Sequence, residues 1–331
     1  MKNKSYIPGI AAFIAMLILI LDSQTAFSGA KEGVNLCIQV IIPSLFPFFL
    51  ISVMLIHALS GADLPLMKPL GRALGIPVGS EPVIIPAFLG GYPTGAQCIT
   101  SYYQSGQLSK HEAERLLGFC NNAGPAFLFG MSTTIFPYRW IPWALWLVHI
   151  ASAIFAALLL PSGPNTSSRS VHTDKPVPSQ ALQIAMRSMA TVCGWVILFR
   201  IVIIFFNRWL LWMLPKEVQI LATGLLELSN GCLALADLSD YRIQFVFCSL
   251  FLSFGGLCVA MQTRSITEGL SLRYYFAGKS IQAFFSLIFS LALFWPAAQL
   301  SLIIFAFPLL LRTKKIDVAF RRHILYTKCS I

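Results

Sequence analysis

The chain alternates long apolar stretches with short polar ones. Gly33–Ala62, Pro82–Ser109, Leu116–Tyr138, Trp140–Ser168, Ile243–Thr263 and Ser280–Leu311 contain no Asp, Glu, Lys or Arg. About 20 apolar residues cross the hydrocarbon core of a bilayer as a helix. This pattern predicts spans at Ile7–Leu21, Val34–Leu59, Leu116–Phe136, Trp140–Leu160, Ser188–Phe206 and Ile243–Gln262, and one or two within Ser280–Leu311. Two other apolar stretches are interrupted. Gly90, Gly91, Pro93 and Gly95 break Glu81–Gly106, and "ELSNG" breaks Val218–Leu238. Irregular backbone at bilayer depth is tolerated only inside protein or beside a wet cavity. Both stretches are therefore expected to be re-entrant helical hairpins.

The order of pieces recurs on either side of the Pro/Ser-rich stretch "PSGPNTSSRSVHTDKPVPSQ". Each half reads as a span, an interfacial piece, a broken segment, a span with a polar or Gly-rich centre, and a further span. Corresponding interrupted segments in two halves are the sequence mark of a transporter built on inverted repeats. The expected fold is an all-α polytopic membrane protein of two inverted-topology repeats, with re-entrant hairpins and broken helices. Its predicted parts are an N-terminal anchor helix (1–30), a first repeat (31–160), a polar cytoplasmic linker (161–181), a second repeat (182–311) and a basic cytoplasmic tail (312–331). Lys2 and Lys4 before the first apolar stretch and "AFSGA" after it also fit a cleaved signal; a retained anchor is the favoured reading.

Charge supports the topology. Of 331 residues only 11% are charged, against roughly 25% in an ordinary soluble domain. With both hairpins not crossing and the N-terminus inside, twelve basic residues fall in inside pieces, Lys68, Arg115 and Lys279 among them, and five in outside pieces. That is the bias of the positive-inside rule, and it explains the net charge of +11 without nucleic acid as a partner. The six basic residues of the tail belong inside too, which calls for a turn at "PAAQ" dividing the last stretch. The eight cysteines form no C-x-x-C pair, and neither a metal site nor a cofactor is expected. "AGKS" lacks the first glycine of a phosphate loop, no nucleophile–base constellation is visible, and no enzyme is predicted.

Among candidate site residues, Glu227 is the sharpest. A carboxylate at bilayer depth is costly and by default marks a functional site facing the bundle interior. A proton- or sodium-coupled carrier uses such a group for its coupling ion; the plainer alternative is a helix cap near the surface. Ser229 and Asn230 either meet a ligand or satisfy backbone freed by the break. The half-helix after "GGYPTG" can aim its positive end at an anion. Asn121 and Asn122 read a polar ligand's edges or bond neighbouring helices. "SFGG" suits close packing. Arg200 is a candidate partner for an anionic substrate or for Glu227, unless it snorkels to the outer interface.

Together "GGYPTGA", "CNNAGPAFLFG", "GLLELSNG" and "SFGGLCVAMQ" carry a resemblance. The chain resembles the YlbJ-type sporulation integral membrane proteins (stage V sporulation protein V) of endospore-forming bacteria. These have two nucleoside-recognition ("Gate") repeats and are similar in build to concentrative nucleoside transporters. The resemblance spans roughly 34–262. It implies transport of a small molecule, dipicolinate, from the mother cell across the outer forespore membrane. By motif it implies substrate contacts at Tyr92, Thr94, Asn121, Asn122, Glu227, Asn230 and Ser253. A cation-coupled nucleoside carrier and a non-transporting membrane scaffold are the alternatives.

Overall fold

The computed structural model describes residues 6–59, 64–162 and 178–299. The described residues are helical with no strand. Most of the linker and all of the tail lie outside them, as does the expected second span after "PAAQ". Five helices are long and apolar enough to cross a membrane: Ser23–Leu55, Ile141–Leu159, Ser179–Trp209, Tyr241–Ile266 and Arg273–Phe294. The chain is an all-α, multi-pass integral membrane protein.

The first apolar stretch forms α1 (Ile7–Leu21), none of which is buried. Asp22 then caps α2 (Ser23–Leu36), which passes through a π-turn at Cys37–Ile41 into α3 (Ile42–Leu59). The second span thus begins at Ser23, not Val34, and residues 30 and 31 sit within one helix. Pro43 and Pro47 remove backbone donors here. In the same turn Ser44 Oγ donates to Val40 O at 2.7 Å and Ile41 O at 3.2 Å. Helix α2 lies along α9 (Pro178–Trp209) through Gly29 and Gly33, where a Cβ would stand 2.9 Å from the backbone of Ile201 and Ile197. Such a small-xxx-small face lets membrane helices touch backbone to backbone.

Short helix α4 (Lys68–Ala73) leads into the first hairpin. Its descending arm is a 3₁₀ turn (Glu81–Val83) and a π-turn (Pro86–Gly90), and its returning arm is α5 (Thr94–Gln104). The break falls at Gly91, whose φ of +80 only glycine adopts without strain. Helix α6 (Lys110–Leu117) opens on a capping box, with Ser109 and Glu112 bonded reciprocally.

The expected span Leu116–Phe136 is not one helix. Gly118–Gly124 is unwound, and α7 (Pro125–Ile135) starts afresh with proline at its first position. Helix α8 (Ile141–Leu159) then crosses as predicted.

After α9, an exposed turn carrying Trp209 and Trp212 joins the second hairpin, α10 (Lys216–Leu226) and α11 (Leu228–Ala234), broken at Glu227. Ile243–Gln262 is also discontinuous. Helix α12 (Tyr241–Phe254) ends at Gly255 and α13 (Gly256–Ile266) follows, with φ of +82 and +74 at the two glycines. Helix α14 runs Arg273–Phe294, so it starts before Ser280, and Lys279 lies inside a span rather than in an inside loop. It therefore leaves the count of loop charges.

Glycines let each break approach its hairpin. A Cβ on Gly124 would lie 2.8 Å from Gly91 Cα, and one on Gly95 would lie 2.0 Å from Cys120 O. In the second half a Cβ on Gly256 would stand 3.2 Å from Gly224 O, and within the hairpin itself one on Gly231 would stand 2.1 Å from Gly224 Cα. Arg115, 4% exposed, fastens this architecture from one end. Its guanidinium donates to Gly75 O, Leu74 O, Ala157 O and Leu160 O at 2.9 to 3.4 Å, closing the ends of α4 and α8. Gly231→Val forces two backbones apart, a strain of the kind that typically costs about 1–3 kcal/mol or more. Its expected outcome is loss of the monodisperse peak in detergent gel filtration, with Gly130→Ala, which has open space around it, unaffected.

Candidate functional site

All four chain breaks converge. Tyr92, at the tip of the first hairpin, donates its hydroxyl to Leu252 O at 3.0 Å, beside the α12–α13 break. A Cβ on Gly255 would come within 3.2 Å of the same hydroxyl. Gly256 lies as close to the carbonyls of Gly224, Leu225 and Leu226 in the second hairpin. A small cavity of about 30 Å³ sits beside this junction. Its walls are largely apolar, from Ile41, Leu45, Phe127, Val192 and Val259, and Tyr92, Glu227, Ser229 and Gln262 give it polar edges.

Glu227 is 2% exposed and is the N-cap of α11. Its carboxylate accepts from Ser229 N at 3.0 Å, Asn230 N at 2.7 Å and Asn230 Nδ2 at 2.6 Å. The acid thus meets the positive end of a buried half-helix, where the amides of Ser229 and Asn230 would otherwise lack partners. It is a helix cap, and it also faces the cavity. The cap reading of "ELSNG" therefore holds in part: Glu227 caps a helix end, but one buried in the protein rather than near the surface.

The other candidates divide. Thr94 Oγ1 donates to its own turn at Gly90 O, 3.3 Å away. Asn121 ties Ala96 N to Thr263 Oγ1, at 3.3 and 2.9 Å. Those contacts, with Thr94 N to Gly91 O at 2.8 Å, occupy amides at the start of α5, so that half-helix does not offer a bare positive end. Asn230 serves Glu227. Arg200 donates to Glu32 at the α2–α9 interface, through Nε at 3.0 Å and through Nη2, so its partner is Glu32 and not Glu227.

Asn122 and Ser253 belong to a second cluster behind Tyr92. There α8 supplies His149 and α14 supplies Lys279 and Gln282, all at most 1% exposed. Lys279 Nζ donates to Gln282 Oε1 at 2.8 Å, Asn122 Oδ1 at 3.2 Å and Tyr92 Oη at 3.4 Å. Gln282 Nε2 donates to Asn122 Oδ1 at 3.1 Å and His149 O at 3.3 Å. His149 Nε2 accepts from Ala123 N at 3.1 Å, which leaves its proton on Nδ1, directed at Ser253 Oγ 3.3 Å away. Sequence reasoning missed Lys279, Gln282 and His149. Lys279 looked like the last loop charge before an apolar run. The available signal was the i, i+3 pair Lys279–Gln282, which puts two polar groups on one face of a helix.

A protein of known standing resembles this chain. The sporulation integral membrane protein YlbJ of Bacillus subtilis (strain 168) is 25% identical over 343 residues, covering 87% of this chain and 82% of the relative. The chain is thus similar to a sporulation integral membrane protein over most of its length. No family model and no solved structure matches it.

Removing the Glu227 cap has a measurable consequence. Loss of a side-chain N-cap costs about 0.5–2 kcal/mol. Glu227→Ala is expected to lower the thermal midpoint of the detergent-purified protein, and Glu227→Asp, which can still cap, to lower it less. Equal midpoints for all three proteins would show that the cap contributes nothing.

Proposed function

We propose that this protein is a carrier of a small organic anion across the membrane, with its cargo bound where the four chain breaks meet. The observation behind this is the junction itself: two hairpin tips and two unwound helices gather a buried polar cluster beside a cavity. Irregular backbone among membrane helices is costly unless it lines a site, and transporters use it for that purpose. The hairpin–break pair occurs twice, at 81–135 and at 216–266, and we read the two as repeats of opposite orientation.

The resemblance points to dipicolinate, moved across the outer forespore membrane, as the cargo. The relative's name places that protein in sporulation, which agrees with this reading. Glu227, a carboxylate edging the cavity, is in this reading the seat of a coupling proton or sodium ion. The carrier makes and breaks no covalent bond.

Flux into liposomes holding the purified protein tests this. Dipicolinate is expected to enter and adenosine to be excluded. Glu227→Gln is expected to cut the rate about tenfold, equivalent to ~1.4 kcal/mol. Adenosine uptake in place of dipicolinate would mean a nucleoside carrier, and uptake of neither would mean a scaffold; both overturn the proposal.

A further inference from the structure

Lys279 is fully buried in α14 and has no carboxylate within ion-pair distance among the described residues. The ion pairs of the described residues lie elsewhere: Lys110–Glu114, Arg200–Glu32, Arg208–Asp22, Lys216–Asp237 and Arg242–Asp240. The three oxygens that Lys279 meets are neutral, from an amide, another amide and a phenol. Hydrogen bonds to neutral oxygens recover only part of an ammonium's lost hydration, and a buried charge is ordinarily matched by a counter-charge. Lysine within a transmembrane helix is rare and by default marks a ligand or ion path.

The donor beside the ammonium that would join it on a carboxylate is the Gln282 amide, currently directed at Asn122 Oδ1 and His149 O. The Tyr92 hydroxyl already donates to Leu252 O and fills the position a carboxylate would take on the ammonium. Of the three contacts to Nζ, the one to Tyr92 is the longest at 3.4 Å. The Tyr92 ring lies 5.2 Å from Nζ by its centroid, and the same residue walls the cavity. Among the described residues, only the Tyr92 side chain therefore belongs both to the cavity and to the lysine cluster. The cavity beyond it is apolar enough to take an aromatic or aliphatic body.

We infer that Lys279 is the counter-charge for a carboxylate group of the cargo, and that Tyr92 is the gate which holds that position until cargo arrives. This rests on the transport reading above and assigns its anion-binding residue. Cargo entering from the cavity displaces the Tyr92 hydroxyl from Lys279, and its carboxylate takes up the ammonium and the Gln282 amide. The apolar body of the cargo stays against Phe127 and Val259.

The test uses the full chain purified in detergent, with benzoate, dipicolinate and adenosine as probes, and reads the thermal midpoint against probe concentration. Wild type is expected to be stabilised saturably by the two carboxylates and not by adenosine. K279Q and K279M are expected to fold with a midpoint equal to or above that of the unliganded wild type, because an unmatched buried charge has been removed. Both are expected to lose carboxylate stabilisation by tenfold or more in half-saturating concentration. Y92F keeps the ring but not the hydroxyl, and is expected to bind carboxylates at least as tightly as wild type.

Wild-type stabilisation that survives unchanged in K279Q and K279M overturns the role of Lys279 and leaves the transport reading standing. No stabilisation of wild type by either carboxylate overturns both. Should neither Lys279 variant fold, K279R and Gln282→Leu carry the test. Each is expected to weaken carboxylate binding at least threefold, and an unchanged half-saturating concentration in both overturns the inference.

Discussion

Every backbone N–H and C=O released by a chain break within a membrane bundle must find its partner in the protein, since hydrocarbon supplies none. Among the described residues the chain breaks in four such places, and much of its polar chemistry answers that demand. Glu227 takes the amides of α11, Asn121 takes an amide of α5, His149 takes the amide of Ala123, and the Tyr92 hydroxyl takes Leu252 O. Glycines do the complementary work by letting unwound backbone lie flat against unwound backbone. Polar groups cannot be scattered under these conditions. They gather where the breaks gather, which is why a cavity with polar edges and a buried cluster are found at one junction.

Much of the fold could be read from local pattern. Gly90, Gly91 and Pro93 announce the first hairpin, "ELSNG" the second, and the capping box of α6 is spelled out by Ser109 and Glu112. What escaped was the discontinuity of two apolar stretches. "CNNAG" and "SFGG" interrupt runs whose hydropathy is that of a span, and hydropathy does not register whether the backbone stays helical. The same blindness concealed where α2 and α14 begin. Polar Ser23–Lys31 and Arg273–Lys279 look like loops, yet both continue as helix because their small or amphipathic residues pack on neighbours.

The site was legible in part. Asn122 and Glu227, an amide and an acid in apolar runs, advertise themselves and do reach the junction; Tyr92 and Ser253 reach it too, but only the resemblance pointed to them. Arg200 advertised itself equally and belongs to a peripheral pair with Glu32 across the α2–α9 contact. Lys279 did not advertise itself, because Arg264 and Arg273 shortly before it made it look like one more interfacial charge. Distinguishing Arg200 from Lys279 requires knowing which helix each faces, and single-sequence periodicity does not carry that information.

The contact between Gly224 and Gly231 bears on how such a molecule can move. Two arms that touch main chain to main chain have no side-chain layer in which to slide, so the second hairpin travels as a stiff paddle or not at all. Flexing is then confined to its roots, the turn around Pro215 and the stretch before Asp240, while the tip with its carboxylate keeps its shape throughout.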